Sequence, residues 1–419
     1  MGQKRTNTMG YLKQTVINVS WAGILRASTR IITFIRIIVL ARILTPSQFG
    51  VFGIASLVLS FLEILTETGI NVFLIQEKKA IKYYINDAWL VSILRGILIS
   101  VFIIGSSPFI IKFFNSADAQ RLLLLISVVP LVRGFINPAI VRYQKELLFN
   151  KDFFLRLAVF GFDSIVAVIL AIVTRDASSF VWGLIAGAFL EVSISFVFIK
   201  PTPAISFQKN NIKKIISRGK WVTLFVIFNY IAQEGDNVVV GKILGTGSLG
   251  IYQMGYKIST LPISEISDVV NKVIFPVYSK IASDKIRLRK AFLKTMLIVI
   301  LLVLLLGFLI FLLPNSLMIY VLGANWVDVA SILKILVFYG IFRAIVGTTA
   351  SLFLALGKQN YFATMTFLRL LVLAITIIPL TLLYGIVGAS FSALLSVIIE
   401  LPLTVYLLFL VFGKKSNFK

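Results

Sequence analysis

Twelve times along this chain a run of about twenty or more largely apolar residues recurs: 16–41, 49–75, 88–111, 122–141, 153–174, 179–199, 221–241, 249–276, 295–314, 330–352, 361–383 and 387–411. A helix needs about 20 such residues to cross roughly 30 Å of hydrocarbon. Inside a bilayer the backbone must satisfy its own polar groups, so the runs are expected to be helices. Composition removes the soluble alternative. Of the 419 residues 58% are apolar and only 14% are charged, with a mean hydropathy of +0.97. A soluble domain carries roughly 25% charged residues. The first run holds Arg26, Arg30 and Arg36 and has no small-residue cleavage site, so it is expected to remain in the mature chain.

The net charge is +24, from 41 Lys and Arg against 17 Asp and Glu. Its distribution carries more information than its sum. The N-terminus, every second loop and the C-terminus together hold 25 of the 41 cations, the intervening loops hold 5, and the spans hold 11. By the positive-inside rule the basic set faces the cytoplasm, so both termini are expected there, in a bacterial or archaeal plasma membrane. The charge is mainly a topology signal, and nucleic acid is not an expected partner; membrane lipids are. The chain has no cysteine and no histidine. That excludes disulfides, a thiol nucleophile, histidine-based metal sites and histidine general bases, and no cofactor or metal is expected.

A basic segment at 200–220 divides the chain into an N-terminal lobe, 1–199, and a C-terminal lobe, 221–419, each with six runs. The lobes read as a duplication. ARILTPSQFGVF at 41–52 lies over GKILGTGSLGIY at 241–252, FLRLAV at 154–159 over FLRLLV at 367–372, and Arg133 over Arg343. Both halves begin on the same side, so the repeats are parallel, related by an axis along the membrane normal. The predicted fold is all-α and polytopic, with 12 transmembrane helices in two six-helix bundles related by a pseudo-twofold axis. Such a pair of lobes around a central cleft suits alternating access.

Two glycine motifs have bland readings. GTGSLG at 245–250 matches a dinucleotide fingerprint but has no strand before it, so it reads as a short turn between helices. Gly183 and Gly187 form a small-xxx-small pair that predicts close helix packing.

Twenty ionisable residues fall inside the runs, and each costs at least about 2.5–3.5 kcal/mol if it faces lipid near the bilayer centre. They must pair or line a wet cavity. Arg26, Arg30 and Arg36 lie within about 120° of one helical face, and the first two lie near the midplane. They read as an anion-binding wall, or as partners of Glu63 and Glu67 in the next span. Arg156 lies near a helix end and reads as a snorkelling cation. Arg133 and Arg343 read as symmetric cavity residues or symmetric packing clamps. At offset 200, Arg36 lies over Asp236, with Glu234 beside it, and these three form a candidate outer gate.

The stretch RIIVLARILTPSQFGVFGIASLVLSFLEILTETGINVFLIQ at 36–76 resembles the opening of polysaccharide-repeat-unit flippases, of the multidrug/oligosaccharidyl-lipid/polysaccharide exporter superfamily. GYKISTLP at 255–262 and FPVYSK at 275–280 resemble its eighth helix. The resemblance implies a V-shaped cationic cavity that carries a polyprenyl-diphosphate-linked oligosaccharide outward, without enzymatic chemistry. It matches Arg30 and Arg36 to the basic pair of the first helix and Lys257 to that of the eighth. Where the lipid II branch has a basic residue in the second helix, this chain has Leu62 and Glu63. That departure favours polymer repeat units over lipid II. The resemblance also makes a polysaccharide polymerase and a chain-length regulator expected partners. Two other classes compete. A drug/cation antiporter of the same fold expects an acidic cavity, and a membrane polymerase or glycosyltransferase expects acid-rich outer loops. Here those loops hold only Asp118, Asp176 and Asp328 as acids.

Overall fold

The structure, a computed structural model, describes residues 8–66, 69–77, 80–204 and 208–413, and every regular element among them is helical. In chain order these are α1 Thr8–Ile43, α2 Pro46–Leu65, α3 Ile70–Gln76, α4 Ile85–Phe114, α5 Ala119–Ile126, α6 Val128–Gly134 and α7 Arg142–Lys145. There follow α8 Phe149–Thr174, α9 Ser178–Val197, α10 Lys209–Ile281, α11 Lys285–Phe311, α12 Asn315–Leu322, α13 Val329–Ala355 and α14 Gln359–Phe412. Seven of them (α2, α4, α8, α9, α11, α13 and α14) are individually long and apolar enough to cross a membrane. The chain is a multi-pass membrane protein.

Local chemistry sets where the helices break. Between α1 and α2 the run Thr45-Pro46-Ser47-Gln48 forms a capping box: the Thr45 main-chain N–H donates to Gln48 Oε1 at 2.9 Å, and Pro46 occupies the first helical position. The two longest helices, α10 and α14, are each broken by one glycine. Gly245 has φ 81° and Gly385 has φ 60°, backbone that costs a residue with a Cβ dearly. The G-x-G-x-x-G match is thus a helix break, as its position between two apolar runs implies.

Two expected runs are divided. The run 49–75 ends as helix at Leu65, and α3 starts after Gly69 in the left-handed region, φ 64°. The run 122–141 becomes Ala119–Gly134 followed by a 70° bend into Pro138–Lys145. Pro138 has no N–H to give and holds Asn137 extended, φ −67° and ψ 116°. The fully buried Asn137 side chain stabilises the bend. Its oxygen accepts from Ala139 N–H at 2.9 Å, and its amide donates to the carbonyls of Ser195, Ile199 and Pro201.

The chain forms two compact units. The first comprises Met1–Leu44 with Ile54–Phe228, which includes the basic 200–220 segment; the second comprises Thr45–Gly53 with Asn229–Lys419. In the first unit α8 and α9 cross closely through the predicted glycine pair. A Cβ at Gly183 would lie 2.5 Å from Asp163 Oδ1 and 2.7 Å from its carbonyl oxygen, and one at Gly187 would lie 3.0 Å from Asp163 Cβ. α4 and α6 cross through Gly96 and Gly134 in the same manner, with the Gly96 position 2.4 Å from Pro130 O.

In the second unit the start of α2 packs on the break of α10. A Cβ at Gly50 would lie 1.8 Å from Thr246 O, and one at Gly250 would lie 2.0 Å from Pro46 O. At the repeat offset of 200, Pro46 corresponds to Thr246 and Gly50 to Gly250, so the contact is reciprocal. Ser47 Oγ and Thr246 Oγ1 hydrogen bond at 2.9 Å, and Phe49 meets the buried Trp326 edge to face at 4.8 Å.

Candidate functional site

The first unit encloses a cavity of about 480 Å³, reached by the side chains of Glu63 (α2), Arg95 (α4), Arg133 (α6), Arg156 (α8) and Glu191 (α9). The Gly96–Gly134 crossing forms part of its wall. Arg133 Nη1 pairs with Glu63 Oε1 at 3.1 Å, with the two side chains 39% and 32% exposed. Arg95 donates to the Glu63 carbonyl and, at 3.1 Å, to Thr66 Oγ1. Arg156 Nε donates to Asp152 Oδ1 at 3.0 Å, one turn earlier on α8. Glu191 lies within electrostatic reach of Arg133 and Arg156, and among the described residues it has no hydrogen-bond partner. Arg156 is therefore a paired cavity residue near the start of α8, the helix end at which snorkelling was expected.

Each residue singled out from the sequence has a defined place. Arg36 Nη1 pairs with Asp163 Oδ2 at 2.9 Å, side chains 14% and 8% exposed, and its guanidinium lies over the Phe180 ring at 5.8 Å. The other oxygen, Asp163 Oδ1, has no hydrogen-bond partner. The alternative pairing of the α1 arginines with the second span is replaced for Arg36 and for Glu63. Glu63 serves Arg133, Arg36 serves Asp163, and Glu67 lies outside the described residues. On the same helix Arg26 is half-buried and Arg30 exposed.

The remaining residues belong to the second unit. Lys257 is half-buried within electrostatic reach of Glu234. Asn237 Nδ2 donates to Glu234 Oε2 at 2.8 Å. The buried Asp236 accepts from Tyr252 OH at 2.8 Å and from the Asn237 N–H at 2.8 Å. The charges of the suggested Arg36–Asp236 gate are thus each engaged within their own unit in this conformation. Arg343 lies among Tyr339, Tyr256, Glu400 and Asp268. Nearby, Arg369 and Glu400 approach to 3.9 Å with side chains only 4% and 2% exposed.

These positions expose a duplicated set of charges that only the structure brings together. Arg133, Arg156 and Glu191 correspond to Arg343, Arg369 and Glu400 at offsets of 210, 213 and 209. In the second unit Arg369 and Glu400 are closed into a buried polar core, while Arg343 is half-buried. In the first the set is half-exposed around open volume. Glu191, Arg95 and Arg156 were visible in the sequence as membrane-depth charges, and the repeat offset is the signal that would have grouped two of them with Arg133.

Residues 39–331 match the family described as polysaccharide biosynthesis protein. The chain is 28% identical over 403 residues to a membrane protein in the cps region of Klebsiella pneumoniae, covering 94% of this chain and 82% of that protein. It is 25% identical over 362 residues to the teichuronic acid biosynthesis protein TuaB of Bacillus subtilis, covering 83% and 72%. Among solved structures, the lipid II flippase MurJ in an inward closed conformation superposes with a TM-score of 0.73 at 16% identity, covering 92% of this chain and 87% of that one. At that identity the likeness concerns the fold.

Proposed function

This chain belongs to the polysaccharide biosynthesis protein family, and from that premise we propose that it moves lipid-linked oligosaccharide repeat units from the cytoplasmic to the outer leaflet. It is a transporter, and its chemistry is binding and release. The observation that carries the reading is the family match over 39–331, joined to a membrane interior with more cations than acids. A polyprenyl diphosphate brings about two negative charges that call for Arg or Lys partners. An inside-negative potential favours its outward movement by about 2.3 kcal/mol per charge per 100 mV.

The proposal includes twelve passes with both termini in the cytoplasm. α10 and α14 supply two passes each through their glycine breaks, α1 supplies the first, and the bent α5–α7 segment supplies the fourth. Arg30 and Lys257, with Arg26 and Arg36, are assigned to the diphosphate; Arg133 and Arg343 are secondary. A polymerase and a chain-length regulator would take up the product. The antiporter alternative is disfavoured because its cavity should be acidic.

The test is removal of the gene. Repeat units should then accumulate on the cytoplasmic leaflet and surface polymer should cease, with drug resistance unchanged. Unchanged polymer together with raised drug sensitivity would replace this reading with the antiporter.

A further inference from the structure

We propose that the cavity inside the first unit is a saccharide seat, which holds the sugar end of the substrate and takes Arg133 out of the secondary diphosphate set, while the diphosphate is held elsewhere. This rests on the flippase reading and deepens it.

Three observations carry the assignment. The first is charge balance. Arg95, Arg133 and Arg156 face the cavity with Glu63 and Glu191, and each arginine already has an acceptor: the Glu63 carbonyl, the Glu63 carboxylate and Asp152. Such a lining has little unspent positive charge for a diphosphate. It does offer donors and acceptors side by side, together with Asn71, and that is what the hydroxyls of a sugar require.

The second observation is size. The volume of about 480 Å³ lies within the ~300–1,000 Å³ of small-molecule sites, room for a sugar ring or a disaccharide and not for a long chain.

The third is the repeat. One repeat pair differs sharply: Arg369 is 4% exposed beside the buried Glu400, whereas its counterpart Arg156 is 41% exposed. Arg133, half-buried like its counterpart Arg343, and its partner Glu63 are 39% and 32% exposed around the same open volume. Glu63, Arg156 and Glu191 also stand near the ends of α2, α8 and α9 that the proposed topology turns to the cytoplasm, the side from which the substrate loads.

The experiment uses the cysteine-free chain with Ser92→Cys, a cavity-lining position, reconstituted in lipid nanodiscs. Alkylation by N-ethylmaleimide is timed alone, with glucose, galactose, N-acetylglucosamine or glucuronic acid, and with inorganic pyrophosphate. At a sugar concentration twice its dissociation constant the reaction should slow about threefold. At least one sugar should give that protection and pyrophosphate should not. Adding Asn71→Ala, at the exposed Asn71, should abolish the protection and leave the unprotected rate unchanged, and Arg133→Gln should likewise abolish the protection. The proposal is overturned if no sugar protects, if pyrophosphate alone protects, or if the thiol does not react at all. The result is independent of the leaflet assay. Sugar protection without flipping would sink the transport reading, and flipping without sugar protection would sink the seat.

Discussion

Arg36 and Arg30 stand on one helix six residues apart, yet their surroundings differ. Arg36 is held by Asp163 in a nearly dry pair, and removing one partner of such a pair costs about 3–5 kcal/mol because a buried charge is left uncompensated. Arg36→Ala should therefore lower the thermal stability of the purified protein markedly, and replacement of both partners (Arg36→Met with Asp163→Leu) should restore most of it. Equal losses in the single and double variants would show that the pair is not what holds the site. Arg30 is exposed, so Arg30→Ala should leave abundance near normal while transport is lost. A fall in abundance large enough to explain the loss would make Arg30 a structural residue.

Asp176, in the short loop before α9, supplies a pH dependence. Burial alone would raise its pKa, but the Ser178 hydroxyl and N–H, which favour the carboxylate, hold it below the usual aspartate value. A depressed carboxyl stabilises the fold above its unfolded pKa, about 3.9, and that contribution is lost as the pH falls through the still lower folded value. The melting-temperature gap between the wild type and Asp176→Asn should accordingly be constant near neutrality and close below about pH 4. A gap that persists in acid would exclude the carboxylate as its source.

At the scale of elements, glycines decide how closely helices approach. Gly183→Ala would push a Cβ to 2.5 Å from the carboxylate that holds Arg36 and to 2.7 Å from a backbone carbonyl, so α8 and α9 would have to separate. Overpacking of that kind costs about 1–3 kcal/mol, and thermal unfolding should show a loss in that range. At Gly161, where a Cβ would meet nothing within 4 Å, the same change should be nearly silent. The reciprocal contact of Gly50 and Gly250 is testable directly. With Ser47→Cys and Thr246→Cys in the cysteine-free chain, whose native hydroxyls lie 2.9 Å apart, oxidation should form a disulfide readily. Gly50→Val should prevent it. Persistence of the disulfide in that variant would show that the α2–α10 contact tolerates a side chain.

The whole molecule is a statement about topology. Twelve passes with cytoplasmic termini predict that a cysteine at Thr202, in the central basic segment, is protected from an impermeant thiol reagent applied from outside. A cysteine at Asp176 should be labelled. The reverse pattern would invert the protein, and labelling of both would remove a pass.

The helical class, the multi-pass character, the break at Gly245 and the packing of Gly183 and Gly187 were all determined by the sequence, because a bilayer leaves the backbone few options and glycine has local consequences. Residues at membrane depth were equally plain, since each charge there must be accounted for. Which charge meets which was decided only by the tertiary structure. Glu63 is adjacent in sequence to the α1 arginines' expected span, yet Arg133, 70 residues away, claims it. Arg36 reaches 127 residues along the chain to Asp163. Pairing of this kind depends on helix rotation and crossing, which apolar runs do not encode. The same is true of the duplicated charges: the repeat places them at equivalent positions, and side-chain packing then buries Arg369 while leaving its counterpart Arg156 half-exposed.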